Sequence, residues 1–277
     1  MIQSDMNRYH RSIKGRWGRW LASRDAKRHL RKRKNQPPMN TIKIDSKTTK
    51  MVAHRGVSGL EPENTVAAFI AAGNRSYYGV ETDIYRTADG RFVVNHDGNA
   101  LRVGGVDMAM ETSTLEELQK IVLFDVDGTK DRPDLRLPSL ENYISVCKRY
   151  DKYCVLELKS VFTDEETQRI MDIVDDYEYR DRVIFISFHY EDLQKVRAVA
   201  PDQACQFLTG DNSDELIARL AADRMDIDIA HPSLTRERVE AMHKAGLKVN
   251  CWTVDDPVRA AELVDFGVDF ITSNILE

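Results

Sequence analysis

The sequence predicts an α/β protein in which eight parallel strands close into a (β/α)8 barrel. From Lys50 onward, short apolar runs alternate with stretches of helical periodicity, and nearly every run is followed by such a stretch. A regular β-α alternation is typical of a parallel sheet, and eight repeats are the number that a TIM barrel needs. An open, doubly wound sheet is the alternative architecture. The eight predicted strands are Met51–His54, Val80–Ile84, Cys154–Leu158, Val183–Ser187, Cys205–Leu208, Ile227–Ala230, Lys248–Thr253 and Phe270–Thr272.

One connection in this pattern is too long for an ordinary loop. About forty residues separate the apolar run that ends at His96 from the helix that starts near Leu140. We therefore predict an insertion, residues 98–137, that covers the mouth of the barrel and holds a short helix at Leu115–Ile121. The other predicted helices are Thr65–Ala72, Leu140–Tyr150, Asp164–Asp175, Glu191–Val199, Asp214–Ala222, Arg236–Ala245 and Pro257–Phe266.

Charge divides the 277 residues into two regions. Residues 1–50 hold fifteen Lys or Arg and three Asp or Glu, a net charge of +12, whereas the rest of the chain carries −17. We therefore predict a basic N-terminal extension over residues 1–49, helical or disordered, followed by one barrel domain over residues 50–277. The sequence has no apolar run of eighteen residues, and its N-terminus lacks the apolar segment of a secretory signal.

The basic extension has a possible membrane-binding face. Ile13, Trp17, Trp20 and Leu21 follow a helical spacing among many Lys and Arg residues. Such a segment suits peripheral contact with an anionic membrane. A disordered tail is the alternative. Nucleic acid is not expected as a partner, because the body of the protein is acidic.

The four cysteines indicate a reducing compartment. Cys147, Cys154, Cys205 and Cys251 lie in apolar helical or strand segments, without close pairing or a Cys-x-x-Cys motif. Buried free thiols are expected from this pattern rather than disulfides. The sequence therefore predicts a cytoplasmic protein, with peripheral membrane contact through the extension as an option.

Acidic side chains on apolar strands predict a metal site. Glu81 and Asp83 are two residues apart, so they project from the same face of their strand, and Glu157 ends a second apolar run. Buried carboxylates need compensation, which a bound cation provides. With no cysteine or clustered histidine spacing, one Ca²⁺ or Mg²⁺ fits better than Zn²⁺.

Basic and imidazole side chains near the same strand ends indicate phosphoryl chemistry. His54 and His96 are candidates for a general acid and base, because imidazole titrates near neutrality. Arg55 and Lys159 place positive charge suited to phosphate beside the proposed cation. The sequence has no Gly-x-Ser-x-Gly elbow and no Walker-type loop, which argues against serine hydrolases and P-loop proteins.

Seven short motifs together carry a resemblance to one family. They are His54-Arg55-Gly56, Glu61-Pro62-Glu63-Asn64-Thr65, Glu81-Thr82-Asp83, His96-Asp97, Glu157-Leu158-Lys159, Ser187-Phe188 and Trp252-Thr253. In order and spacing the chain resembles the glycerophosphodiester phosphodiesterases from about Met51 to the C-terminus. Residues 1–50 lie outside the resemblance.

The resemblance implies a TIM barrel that uses a divalent cation to hydrolyse glycerophosphodiesters to glycerol 3-phosphate and an alcohol. It implies that the three carboxylates hold the metal, that the two histidines form the acid/base pair, and that Arg55 contacts the phosphate. Lys159 is similar to a family lysine that faces the same pocket. We favour His54 as the base and His96 as the acid, although the sequence does not order them.

Several alternatives stay open at this point. Trp252 is expected either to pack on the glycerol moiety or to belong to the barrel core. Asn64 and Thr65 are assigned first to the start of a helix and second to the site. A phospholipase of related fold, similar to lysophospholipase D or to phosphatidylinositol-specific phospholipase C, is an alternative activity. A non-catalytic phosphodiester-binding barrel is a further one, although every matched position carries its functional residue.

Overall fold

The computed structural model describes residues 40–277, which form a closed barrel of eight parallel strands surrounded by helices. The strands of this part of the chain are β1 Lys50–Ala53, β2 Gly79–Arg86, β3 Phe92–Val94, β4 Tyr153–Leu158, β5 Val183–Ser187, β6 Ala204–Thr209, β7 Asp226–Ala230, β8 Val249–Trp252 and β9 Phe270–Ser273. Their order around the barrel is β1-β9-β8-β7-β6-β5-β4-β2. The pairing of β1 with β2 closes the ring.

Closure of the barrel confirms the predicted architecture and rules out the open sheet. Val52 of β1 pairs in parallel with Gly79 of β2 on one side and with Thr272 of β9 on the other. All eight predicted strands are present within one or two residues of their predicted ends. Strand β2 runs past its predicted end at Ile84, because its last residues pair antiparallel with β3.

Helices follow the strands on the outside of the barrel. Their starts are set locally: Thr65 accepts a hydrogen bond from the Ala68 amide, and Ser139 forms a reciprocal capping box with Asn142. The helices of the described region are α1 Val66–Gly73, α2 Leu101–Gly104, α3 Leu115–Gln119, α4 Leu140–Arg149, α5 Asp164–Asp176, α6 Tyr190–Val199, α7 Asp214–Ala222, α8 Arg236–Lys244 and α9 Pro257–Phe266.

The core has two layers because strand side chains alternate. Inward-pointing residues form an apolar layer inside the barrel that consists of Val52, Val155, Ile184, Ile186, Leu208 and Phe270. Outward-pointing residues such as Leu156, Phe185 and Ile227 belong to the larger core cluster, which also holds the buried faces of the helices. The four cysteines are buried and free, as predicted.

The predicted insertion is a small subdomain with its own apolar cluster. It contains α2, α3 and a 3-10 turn, Met110–Thr112. Its cluster consists of Val93, Ala100, Met110, Leu115, Leu118, Ile121, Leu123, Leu135 and Leu137. Two arginines link it to the loop after β1: Arg102 contacts Glu63, and Arg132 contacts Glu61 at 2.7 Å. The insertion therefore borders the C-terminal end of the barrel, where the functional side chains converge.

The described part of the N-terminal extension, residues 40–49, lies along the end of the chain. The Ile42 amide donates to the Ile275 carbonyl at 3.0 Å, and the Ile44 amide donates to the Glu277 carbonyl at 2.8 Å. The proposed membrane-binding face lies in residues 1–39, outside the described residues, so it stays a prediction. Within residues 40–277 no helix is long and apolar enough to cross a membrane.

Candidate active site

Three carboxylates meet at the C-terminal end of the barrel. Glu81 and Asp83 occupy alternate positions of β2, and Glu157 pairs with Asp83 across the β2–β4 ladder. All three are buried, and one oxygen of each lies within 4.8 Å of the others. The period of two along β2 and the register with β4 bring these residues together, as the sequence predicted.

The three carboxylates fit a single hard cation. Metal–oxygen bonds of about 2.0–2.6 Å let one ion contact oxygens that are about 4–5 Å apart, which matches the cluster. The donor set is made only of carboxylate oxygens, as Ca²⁺ and Mg²⁺ prefer. The Asp83 Oδ1 atom is also buried without a hydrogen-bond partner among the described residues.

The protein by itself does not balance three negative charges at this point. Burial, followed by Asp83 and Glu157, raises the pKa of Glu81 well above its usual range. Burial and the Asp83 charge raise the pKa of Glu157 to about 8. Burial also opposes ionisation of Asp83, but Lys159 and Arg55 lower its pKa. A bound cation would remove the repulsion that holds protons on the two glutamates.

Lys159 and Arg55 lie against the carboxylates. The Lys159 Nζ atom is 2.9 Å from Glu157 Oε1 and 3.5 Å from Asp83 Oδ1. The Arg55 backbone amide donates to Glu81 Oε2 at 2.7 Å, and its guanidinium Nε lies 3.5 Å from Asp83 Oδ2. Both side chains therefore lie where they can bind the same anionic group as a cation held by the three carboxylates.

The turn after β1 depends on residues with positive φ. Arg55 has φ +53° and Gly56 has φ +74°. A Cβ atom on Gly56 would lie 2.6 Å from the backbone of Ala68, so the position requires glycine for both conformation and space. This turn directs the Arg55 amide toward Glu81.

Asn64 holds the carboxylate of Asp83. Its Nδ2 donates to Asp83 Oδ2 at 2.8 Å, and its Oδ1 accepts from the Thr82 hydroxyl at 2.7 Å. The first assignment from sequence, a helix start, is right for Thr65, which caps α1. For Asn64 it is wrong, because the side chain turns inward to a proposed ligand.

His54 is neutral, and Asn274 orients its ring. Its Nδ1 lies 2.7 Å from Asn274 Oδ1, and the Asn274 Nδ2 donates to Asp255 at 2.6 Å. Since the amide oxygen only accepts, His54 carries its proton on Nδ1 and leaves a lone pair on Nε2, which lies 4.0 Å from Glu81 Oε2. Burial, then the Arg55 charge, lowers the pKa of His54 to about 4.

His96 belongs to a chain of charged groups. Its Nδ1 lies 2.8 Å from Asp97 Oδ1, and Asp97 Oδ2 accepts from Arg102 Nε at 2.6 Å. Arg102 also binds both oxygens of Glu63 at 2.7 and 2.8 Å, and Glu63 binds Arg55 at 2.9 Å. Although burial works against it, hydrogen bonds from His96 and Arg102 lower the pKa of Asp97. The insertion thus supplies a side chain that fixes the His96 partner.

These groups surround a cavity of about 110 Å³. Apart from Asp83, every residue that the sequence assigned to the site lines it. Trp252 forms part of an apolar wall with Phe188, in edge-to-face contact at 5.7 Å between ring centroids. Trp252 Nε1 donates to the Asp228 carbonyl at 3.3 Å. Trp252 therefore faces the cavity rather than only the barrel core.

Sequence reasoning missed several residues that complete the site. Asn274 and Asp255 orient His54 from more than 200 residues away, whereas Arg102 lies close in sequence to His96 and acts through Asp97. Asp228 lines the cavity from β7. The alternation Asp226-Ile227-Asp228-Ile229 was the available signal, because one face of every barrel strand points inward.

The fold and the cavity define a class of protein: a (β/α)8 barrel with a buried carboxylate cluster suited to a divalent cation at its C-terminal end. The model of the glycerophosphoryl diester phosphodiesterase family matches residues 54–276. The chain belongs to this family. The predictions of family, barrel fold and enzyme class are therefore confirmed.

Several named relatives are similar to this chain over most of its length. A glycerophosphodiester phosphodiesterase of Caldanaerobacter subterraneus is 31% identical over 231 residues, which cover 82% of this chain and 94% of the relative. A phosphodiesterase structure from Oleispira antarctica, in complex with the product sn-glycerol-3-phosphate, has a TM-score of 0.77 and 26% identity, covering 84% and 96% of the two chains. A glycerophosphodiester phosphodiesterase structure from Parabacteroides distasonis has a TM-score of 0.70 and 28% identity, covering 82% and 93%.

Proposed function

We propose that this protein hydrolyses glycerophosphodiesters to sn-glycerol 3-phosphate and an alcohol, with one Ca²⁺ or Mg²⁺ held by Glu81, Asp83 and Glu157. The observation that carries the proposal is the buried three-carboxylate cluster beside two histidines. The product bound to the Oleispira antarctica phosphodiesterase supports the choice of substrate.

The phosphate group is expected between the carboxylate cluster, Arg55 and Lys159. When bound, the cation supplies positive charge to the non-bridging oxygens as negative charge develops on the phosphoryl group. Arg55 and Lys159 add fixed cationic hydrogen-bond donors on the same side. Glu63 and Asn64 keep Arg55 and Asp83 in place, so little reorganisation is needed during reaction.

His54 is the proposed general base. It is neutral near pH 7, and the bond to Asn274 keeps its proton on Nδ1. The Nε2 lone pair can therefore accept the proton of the attacking hydroxyl group, which comes from water or from the glycerol C2 position. The attacking oxygen then forms the new P–O bond; attack by the glycerol C2 oxygen gives a cyclic phosphodiester, which a water molecule must then open to glycerol 3-phosphate.

His96 is the proposed general acid. Asp97 accepts the Nδ1 proton and orients the ring, so Nε2 is the nitrogen proposed to deliver a proton to the leaving group. As the bond from phosphorus to the leaving alcohol breaks, this proton passes to the alkoxide oxygen. Trp252 is proposed to pack against the glycerol moiety at the cavity wall.

Alanine variants of the two histidines test these roles. General acid–base catalysis contributes about 10²–10⁴-fold, so His54→Ala and His96→Ala should each lower kcat by that factor while the melting temperature changes little. His243→Ala is the matched control, because His243 lies half-exposed on α8 and pairs with Asp269 away from the cavity. Activity near the wild-type level in either site variant would contradict its assignment.

A further inference from the structure

Asp228 is a buried carboxyl group that the proposed reaction does not use. It points into the barrel from β7 and lines the cavity, yet only 2% of its surface is exposed. Its Oδ1 atom has no hydrogen-bond partner among the residues that the structure describes. Burial, followed by the Glu157 charge, raises the pKa of Asp228 well above its usual value. A buried polar group without a partner is costly, and such groups are rare.

The neighbouring buried polar side chains form hydrogen bonds with one another rather than with the Asp228 carboxyl group. Asn250 Nδ2 donates to Gln206 Oε1 at 3.0 Å, and the Thr272 hydroxyl donates to Asn250 Oδ1 at 3.2 Å. These side chains inside the barrel therefore hydrogen-bond to one another, and none of these bonds involves the Asp228 Oδ1 atom. A purely structural role for the carboxyl group would require a partner among these side chains.

Asp228 faces the cation site from the opposite side of the barrel. In the strand order, three strands separate β7 from β2 in either direction, so the two strands stand across the barrel from each other. Glu81 and Asp83 lie on β2, and the apolar side chains of Leu208 and Trp252 line the cavity near Asp228. A substrate with its phosphate at β2 and β4 would direct its far end toward β7.

We infer that Asp228 determines specificity by hydrogen-bonding the terminal hydroxyl of the substrate's glycerol moiety. This inference rests on the proposed function, because it takes the phosphate to lie at the carboxylate cluster. Of the two glycerol hydroxyls, the terminal one is farther from phosphorus, and it is the one that can span the cavity to β7. The hydroxyl would supply the missing partner of the buried carboxyl group. A ligand without this hydroxyl would leave the Asp228 carboxyl group unpaired, so the site should bind that ligand more weakly.

The test compares two ligands that differ only in this hydroxyl. Binding of sn-glycerol 3-phosphate and of its 1-deoxy analogue, propane-1,2-diol phosphate, is measured by calorimetry on the metal-loaded enzyme. The wild type should bind glycerol 3-phosphate about 5–100-fold more tightly than the analogue. Asp228→Leu should bring this ratio close to one by weakening glycerol 3-phosphate, whereas Asp228→Asn, which keeps hydrogen-bonding atoms, should retain most of it.

Asp226→Asn is the matched control, because Asp226 lies two residues earlier on β7 and accepts from the Lys248 amide outside the cavity. It should keep the wild-type ratio. The inference is overturned if the wild type binds the two ligands equally or binds neither. It is also overturned if Asp228→Leu leaves the ratio unchanged, or if Asp228→Asn loses it as completely as Asp228→Leu does. Binding does not require turnover, so a wild type that shows the ratio but hydrolyses no glycerophosphodiester would refute the proposed function alone.

Discussion

Replacing Glu157 by glutamine should stabilise the cation-free protein while weakening its response to cations. Glu157 is buried beside Asp83, and its pKa is raised from 4.5 to about 8. Without a cation, the folded protein keeps this carboxyl group protonated at pH 7, whereas the unfolded chain leaves it ionised. Folding must therefore bind a proton at a free-energy cost. Glutamine has the same shape and needs no proton.

The magnitude follows from the two pKa values. A raised carboxyl pKa leaves stability intact below pH 4.5 and removes it as the pH rises toward 8. At pH 7 the cost is about 3 kcal/mol, from about 2.5 pH units at 1.36 kcal/mol each. Glu157→Gln should therefore raise the melting temperature in EDTA by about 6–12 °C at pH 7, and by almost nothing at pH 4.5.

Differential scanning calorimetry in EDTA at the two pH values is the assay, with Glu240→Gln on α8 as the control for an exposed glutamate. Adding Ca²⁺ or Mg²⁺ should raise the wild-type melting temperature, because the ion binds only the folded site, and should raise that of Glu157→Gln much less. An unchanged melting temperature at pH 7, or an equal gain at both pH values, would refute the electrostatic account. An equal cation response in both proteins would refute the role of Glu157 as a ligand.

Two further predictions concern the loop after β1. At saturating cation, the acidic limb of kcat/KM that belongs to His54 should lie well below pH 6.5, because burial and Arg55 lower its pKa and the neutral form is the base. A limb at pH 6.5 in the pH–rate profile would contradict this. Gly56→Ala should cost more than about 2 kcal/mol of unfolding free energy, since the residue has φ +74° and a Cβ would meet Ala68 at 2.6 Å. Gly210→Ala, with no atom within 4 Å of the added Cβ, should cost far less in the same denaturant titration.

Local patterns in the sequence were enough to predict the barrel and the cation cluster. The alternation of apolar runs and helical stretches predicts β-α units, and their number predicts closure. The period of two along β2 places Glu81 and Asp83 on one face, so the site follows once β2 and β4 are recognised as neighbours. Helix α1 was predicted within a residue of its start because its cap, Thr65, is a local signal.

Contacts between distant parts of the chain could not be predicted in this way. Asn274 orients His54 from 220 residues away, a contact that exists only because β9 closes the barrel beside β1. Arg102 is close in sequence to Asp97, but its contact with Glu63, 39 residues away, depends on how the insertion packs beside the loop after β1. Asp228 alternates with Ile227 and Ile229, but this alternation alone does not show whether the polar or the apolar face of β7 points into the barrel.

Release of sn-glycerol 3-phosphate from a panel of glycerophosphodiesters tests the central claim most directly. The protein is assayed as purified, after EDTA treatment, and after separate additions of Ca²⁺ and Mg²⁺. We expect release that EDTA abolishes and that one of these cations restores in the wild type, but not in Asp83→Asn. Release that is insensitive to EDTA, or no release from any member of the panel with either cation present, would contradict a cation-dependent glycerophosphodiester phosphodiesterase.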